Sequence, residues 1–173
     1  MPRRFDLIVF DWDGTLLDSA AAIVLAIQLA CRDLGVAEPD DAGARQVIGL
    51  GLVDALATAI PSLPPARYRE LAERYRYHYL SRDHDLALFD GTAELLAELH
   101  SRGHTLAIAT GKSRLGLDRA LAHSGLGQWF HATRCADECH SKPHPEMLLE
   151  LSLIHISEPT RRTPISYAVF CLK

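Results

Sequence analysis

Apolar and polar positions change their period several times along this chain, and each change marks an element. Residues 5–11 read F-D-L-I-V-F-D, an almost continuous apolar run ending in an acid. A run apolar on both faces predicts a central parallel strand with helices over each side. The turn W-D-G-T-L-L-D-S follows, with Gly14 inside it and Asp18 or Ser19 placed to cap a helix. Ala- and Leu-rich sequence then predicts a helix over Ala20–Leu34, stopped by Gly35. Asp40 and Asp41 can cap the next helix, to about Ile48, which Gly49 and Gly51 break. A further apolar stretch covers Leu52–Ile60, and Pro64-Pro65 open a strongly charged helix from Ala66 to about Arg82.

Beyond Phe89-Asp90-Gly91 the pattern alternates. A helix is predicted over Thr92–Arg102, a strand over Thr105–Ala109, a helix over Arg114–Ser124 and a strand over Phe130–Arg134. A polar loop then leads to Lys142-Pro143 and a helix from Pro145. Strands alternating with helices make parallel β-α units. The expected fold is therefore α/β, a doubly wound parallel-sheet core of residues 1–17 and 86–150, with residues 18–85 inserted as a separate helical unit.

Composition narrows the function classes. The 173 residues are 48% hydrophobic and 23% charged, which excludes a disordered or collagen-like chain. A formal charge of −4 gives no broad positive surface for nucleic acid. No apolar run is long enough for a membrane span, and Asp6 and Asp11 interrupt what a signal peptide would need. The expectation is a cytoplasmic protein in which Cys31, Cys135, Cys139 and Cys171 are free thiols, most of them packed as small hydrophobes.

The candidate chemistry starts at Asp11 and Asp13. They close the first strand, at the end where α/β sheets place ligands, and their spacing puts both carboxylates on one side of an extended chain. Converging carboxylates repel, and a divalent cation such as Mg²⁺ relieves that repulsion. Thr110 ends a second strand and Lys142 follows a third. The strings D-W-D-G-T-L-L-D-S, L-F-D-G, A-T-G-K and S-K-P-H-P, in that order over residues 5 to about 150, resemble the haloacid dehalogenase superfamily, and within it the phosphoglycolate phosphatase branch.

That resemblance implies roles. Asp11 is the nucleophile that accepts a phosphoryl group, and Asp13 is the general acid and then base. Asp13 favours phosphate over halide chemistry, because an alkoxide needs a proton to leave and a halide does not. Thr110, the Gly111 amide and Lys142 hold and neutralise the phosphoryl group. Mg²⁺ is bound by the Asp11 carboxylate and the Asp13 backbone carbonyl. Lys112 resembles a position near the phosphate, with a surface lysine as the rival reading. The 18–85 insertion corresponds to a cap that closes over the site. Gly49 and Gly51 either let that cap approach a substrate or are ordinary loop glycines. The implied reaction is Mg²⁺-dependent hydrolysis of a small phosphorylated metabolite, first 2-phosphoglycolate, with a sugar phosphate or pyrophosphate as alternatives. A phosphorylatable signalling domain using Asp11 is a weaker fit, since about 70 inserted residues exceed ordinary loop lengths.

Two features depart from this picture. Cys135, Cys139, His140 and His144 form C-x3-C-H-x3-H, but the spacing is not a recurrent zinc pattern, and the same segment must deliver Lys142. After Glu150 the family motif that supplies the remaining Mg²⁺ carboxylates is missing. Leu151–Arg161 and Ile165–Leu172 instead resemble the reading-frame translation of a transposase-type sequencing-library adapter. Residues 151–173 are therefore expected to be a non-native tail on a truncated core, and this chain an inactive fragment. The apolar, β-branched run Ile165–Leu172 is expected to pair along the first strand, whose edge such truncation would expose.

Overall fold

The computed structural model describes residues 5–157 and 167–170. Strand β1 (Leu7–Phe10) is buried at every residue, as its apolar pattern requires. Strand β2 (Thr105–Thr110) lies parallel to it, with Val9 opposite Ala107. Strand β3 (Ala132–Cys135) pairs in parallel with the far side of β2. On the other side of β1 lies β4 (Tyr167–Phe170), also parallel, with Leu7 opposite Tyr167. The sheet order is thus β3-β2-β1-β4, and the adapter-like segment supplies the edge beside β1.

Between β1 and β2 run helices α1 (Ala20–Leu34), α2 (Asp41–Gln46), α3 (Leu52–Ala59), α4 (Tyr68–Leu80) and α5 (Thr92–Ser101). α1 ends where Gly35 adopts the left-handed conformation and donates to the carbonyls of Arg32 and Cys31. α2 is capped by Asp40, whose side chain accepts from Gly43 N at 2.7 Å, and it stops at Gln46, short of the expected Ile48. Pro65–Arg67 form a 3-10 turn instead of helix, so α4 begins later than the prolines suggested. α6 (Arg114–Ser124) and α7 (Glu146–Ser157) follow β2 and β3. Among the described residues no helix is long and apolar enough to cross a membrane.

Three apolar clusters hold these elements. α1 to α4 share their own core around Ile27, Leu56 and Leu71. Ile8, Phe10 and Ile108 bury one sheet face against Leu96 and Leu117 from α5 and α6. Leu7, Val9, Ala107 and Ala109 bury the other against Met147 and Leu151 of α7. The sheet is therefore covered on both faces, as a parallel sheet must be. α7 runs past Glu150 without a break: Leu151 continues the i, i+4 spacing begun at Met147 and is 1% exposed on the sheet. Cys31 and Cys135 are buried as small hydrophobes and Cys139 is half-buried, while Cys171 lies outside the described residues.

Candidate active site

The C-terminal ends of β1 and β2 lie side by side, because Phe10 is paired with Ile108. That register carries Asp11 and Asp13 on one strand, and Thr110 and Lys112 on the other, toward a common point. Asp11 is 6% exposed. Its Oδ1 accepts from the Trp12 amide and lies 2.8 Å from Lys142 Nζ. Lys142 also donates to the Ala109 carbonyl at 3.2 Å, so the loop after β3 is fastened to the end of β2. Burial raises the Asp11 pKa above its ordinary value, and the Lys142 charge and hydrogen bond only partly offset that rise.

Asp13 is gripped at one oxygen. Ser19 Oγ donates to its Oδ1 at 2.8 Å, and Lys112 Nζ lies 3.2 Å from the same atom. The Tyr79 hydroxyl, from α4, reaches that oxygen at 3.4 Å and accepts from Lys112 Nζ at 3.0 Å. Burial and the Asp13 charge both push the Tyr79 hydroxyl upward, so it stays a protonated donor. Ser19 was expected among the helix caps, but no side-chain cap bond forms at α1 and its hydroxyl serves Asp13 instead. Lys112 is no surface lysine: its side chain is 12% exposed and its ammonium sits over the Tyr79 ring at 4.7 Å.

Thr110 is fully buried, and its Oγ1 accepts from the Lys112 amide at 3.2 Å. Gly111 lies under the Gly49-Leu50-Gly51 loop. A β-carbon there would stand 2.1 Å from the Leu50 carbonyl oxygen. At Gly49 (φ 95°) a β-carbon would meet Asp11 Oδ2 at 3.0 Å, and at Gly51 it would meet Ser141 Cβ at 3.0 Å. Gly49 is therefore a site of close approach between the helical insertion and Asp11, and Gly51 one between the insertion and the loop that leads to Lys142. Ser141 also donates to Asp54 of α3.

Sequence reasoning singled out Asp11, Asp13, Thr110, Gly111, Lys112 and Lys142, and the structure brings all six together. It missed Tyr79 and the second role of Ser19. The signal for Tyr79 was present in the Leu71, Tyr75, Tyr79 spacing, which puts two aromatics on the inner face of an otherwise charged helix. The C-x3-C-H-x3-H reading fails as a tetrad. Cys135 is fully buried in the sheet core, and Cys139 Sγ is turned toward the Cys135 carbonyl.

A cavity of about 250 Å³ opens beside this cluster, reaching Asp13 and Lys112 and walled mainly by Ile23, Ile27, Ile48, Leu52 and Leu56. Arg76 and Arg119 also line it.

Comparison with known proteins gives a consistent set of likenesses. A sequence model described as haloacid dehalogenase-like hydrolase matches residues 8–155. "Probable phosphatase IndB" of Dickeya dadantii is 38% identical over 153 residues, covering 84% of this chain and 66% of that protein. A "5'-nucleotidase" of Pseudomonas aeruginosa is 32% identical over 147 residues, with 84% and 66% covered. A "Phosphoglycolate phosphatase" of Vibrio vulnificus is 30% identical over 167 residues, covering 91% of this chain and 73% of that protein. The chain thus spans about two thirds of the length of the first two relatives.

Proposed function

Because this chain belongs to the haloacid dehalogenase-like hydrolases, we propose that its acid pair hydrolyses small phosphate monoesters through an aspartyl-phosphate formed on Asp11. The observation that carries this reading is the pairing itself: a buried carboxylate on Lys142 and, two residues on, a second carboxylate on Lys112. An Asp11 oxygen attacks phosphorus, the ester P–O bond breaks, and Asp13 gives its proton to the departing alkoxide. Asp13 then takes a proton from water, whose oxygen attacks the same phosphorus and releases Asp11 and inorganic phosphate. Lys142 neutralises charge on the transferring oxygens throughout.

The two carboxylates and two lysines cancel when Asp13 is ionised and leave one positive charge when it carries its proton, so an incoming phosphate dianion is incompletely compensated in either state. Oxygen donors suit a hard cation, with the Asp11 carboxylate and the Asp13 carbonyl the groups that would hold Mg²⁺. When bound, Mg²⁺ supplies the missing positive charge beside the phosphoryl oxygens. Among the described residues, no cluster of three or more metal-binding side chains includes Asp11 or Asp13. This supports weak Mg²⁺ binding by these residues alone.

The helical insertion reads as a cap, since Gly49 and Leu50 press on Gly111, Gly49 on Asp11, and Gly51 on Ser141. 2-Phosphoglycolate is the first substrate to test, with Arg76 on the cavity wall for its carboxylate, whereas Arg119 is held by Asp83 at 3.1 Å. A second reading follows from the apolar cavity walls: a carboxylate gains little from them, so an ester with an apolar body fits better.

The test is phosphate release by this chain from 2-phosphoglycolate, a sugar phosphate, pyrophosphate and an aryl phosphate, with Mg²⁺ and with chelator. Mg²⁺-dependent release lost in Asp11→Asn supports the proposal. Release that survives chelation or Asp11→Asn overturns it. A folded chain that releases nothing from any ester is the inactive fragment.

A further inference from the structure

The loop that presents Lys142 carries a second group of donors that, among the described residues, makes no bond to the acid pair's side chains. His140, His144 and Glu146 each offer one ligand atom, and these atoms lie within 4.8 Å of one another. Glu146 is already oriented: its Oε2 accepts from the His140 backbone N–H and lies 2.6 Å from His140 Nδ1. The two imidazole rings stand 4.6 Å apart between centroids. Both histidines are exposed, so an ion reaches them from solvent without any opening of the fold.

We propose that His140, His144 and Glu146 form a surface site for one borderline transition-metal ion, with Zn²⁺ as its reference ligand. Two imidazole nitrogens and one carboxylate oxygen are a donor set that suits Zn²⁺, Ni²⁺ or Cu²⁺, whereas Mg²⁺ prefers oxygen alone. Tetrahedral zinc with bonds of about 2.0–2.1 Å holds its donors roughly 3.3 Å apart. Reaching that spacing rotates the exposed imidazoles and gives up two bonds, the 2.6 Å contact of His140 Nδ1 with Glu146 Oε2 and the bond from the Glu146 N–H to His144 Nδ1 at 3.3 Å. Glu146 opens α7, and a helix N-terminus opposes a cation, but the Glu146 carboxylate brings a negative charge to that end. Cys135 is buried and Cys139 faces inward, so neither thiol joins the set.

The site has a place in the molecule's workings. His140 and His144 bracket Lys142, whose ammonium lies 2.8 Å from Asp11. An ion held by both histidines and by the first residue of α7 ties the two ends of that loop together. The loop's freedom then depends on a ligand that never touches the acid pair.

The experiment is calorimetric titration of the folded 173-residue chain with Zn²⁺ alone, in excess Mg²⁺ so that the acid pair does not contribute. One Zn²⁺ event is expected, weakened by more than about tenfold in His140→Ala, in His144→Ala and in Glu146→Gln. It is expected to persist in Cys139→Ser and in Asp11→Asn. His140 and His144 are exposed and Glu146 and Cys139 half-buried, while Asp11 is buried, so circular dichroism checks that each variant is folded. Co²⁺ in place of Zn²⁺ gives a visible spectrum that the same three variants must bleach. No Zn²⁺ event, an event that survives either histidine substitution or Glu146→Gln, or one lost in Cys139→Ser overturns the proposal.

Discussion

Gly111 and Leu50 meet backbone to backbone: a β-carbon on Gly111 would stand 2.1 Å from the Leu50 carbonyl oxygen. Gly111 is not among the glycines of positive φ, so its lack of a side chain serves space and not backbone conformation. Gly111→Ala must push the 49–51 loop off the acid pair. It is expected to cost about 1–3 kcal/mol of stability and to lower any turnover. Gly125→Ala is the control: it has open space but a left-handed φ of 69°, so it costs roughly 1–2 kcal/mol without touching the site. Urea unfolding and a phosphate-release assay on both variants separate the two effects.

Asp11 gives a pH dependence of definite sign. Burial raises its pKa in the folded chain above the ordinary 3.8, and Lys142 lowers it in part. The folded chain therefore holds this proton more tightly than the unfolded one. Stability from Asp11 is fullest below its ordinary pKa and falls as pH rises through the folded value. Urea unfolding of wild type and Asp11→Asn across this range should show the wild type losing stability relative to the variant. Turnover runs the other way, because only the ionised carboxylate is a nucleophile. In Lys142→Met, both changes move to higher pH.

Asp13 is tested by leaving group. If it donates a proton to the departing oxygen, Asp13→Ala should slow alkyl phosphates by about 10²–10⁴-fold and aryl phosphates much less. Equal losses on both would remove the acid role. Tyr79→Phe removes one donor to Asp13 Oδ1 while keeping the ring under Lys112. It should lower kcat for the same alkyl substrates with little change in KM, by up to about tenfold.

Two thiols report on the sheet and the helical block separately. Burial pushes Cys31 up to about 11 and Cys135 up to about 12. Both should resist alkylation near neutral pH until their surroundings open. Mass mapping of labelled peptides along a urea gradient then shows whether the α1–α4 core, which holds Cys31, opens together with the sheet cluster that holds Cys135.

Much of this architecture is legible in the sequence because local patterns decide it. The period of Leu7–Phe10, the glycines at 35 and 125, and the Asp40 cap all act within a few residues. Asp11, Asp13, Thr110 and Lys142 could be found because strand ends in a parallel sheet fall at one place. Long-range partners carry no such signature. Tyr79 reaches Asp13 across 66 positions, and only the folding of α4 against α1 makes that pair. Lys112 and the 49–51 glycines stayed ambiguous for the same reason, since a surface lysine and a loop glycine look alike until a neighbour arrives. The sequence leaves the end of α7 open. Leu151 lies in the adapter-like stretch, yet it continues the spacing of Met147, and a helix responds to spacing whatever the origin of the residues.

The Ser19 hydroxyl closes one ordinary route to a sturdier protein. Asp is among the best helix N-caps, worth about 1 kcal/mol over a residue that caps nothing, and position 19 precedes a helix with no side-chain cap bond. A stabilisation campaign would choose Ser19→Asp early. That change would replace a donor to Asp13 with another carboxylate at a position 0% exposed, setting like charges together in a dry site. Robustness and chemistry compete for this one side chain, so improvement of α1 has to come from its exposed face or from its C-terminal turn.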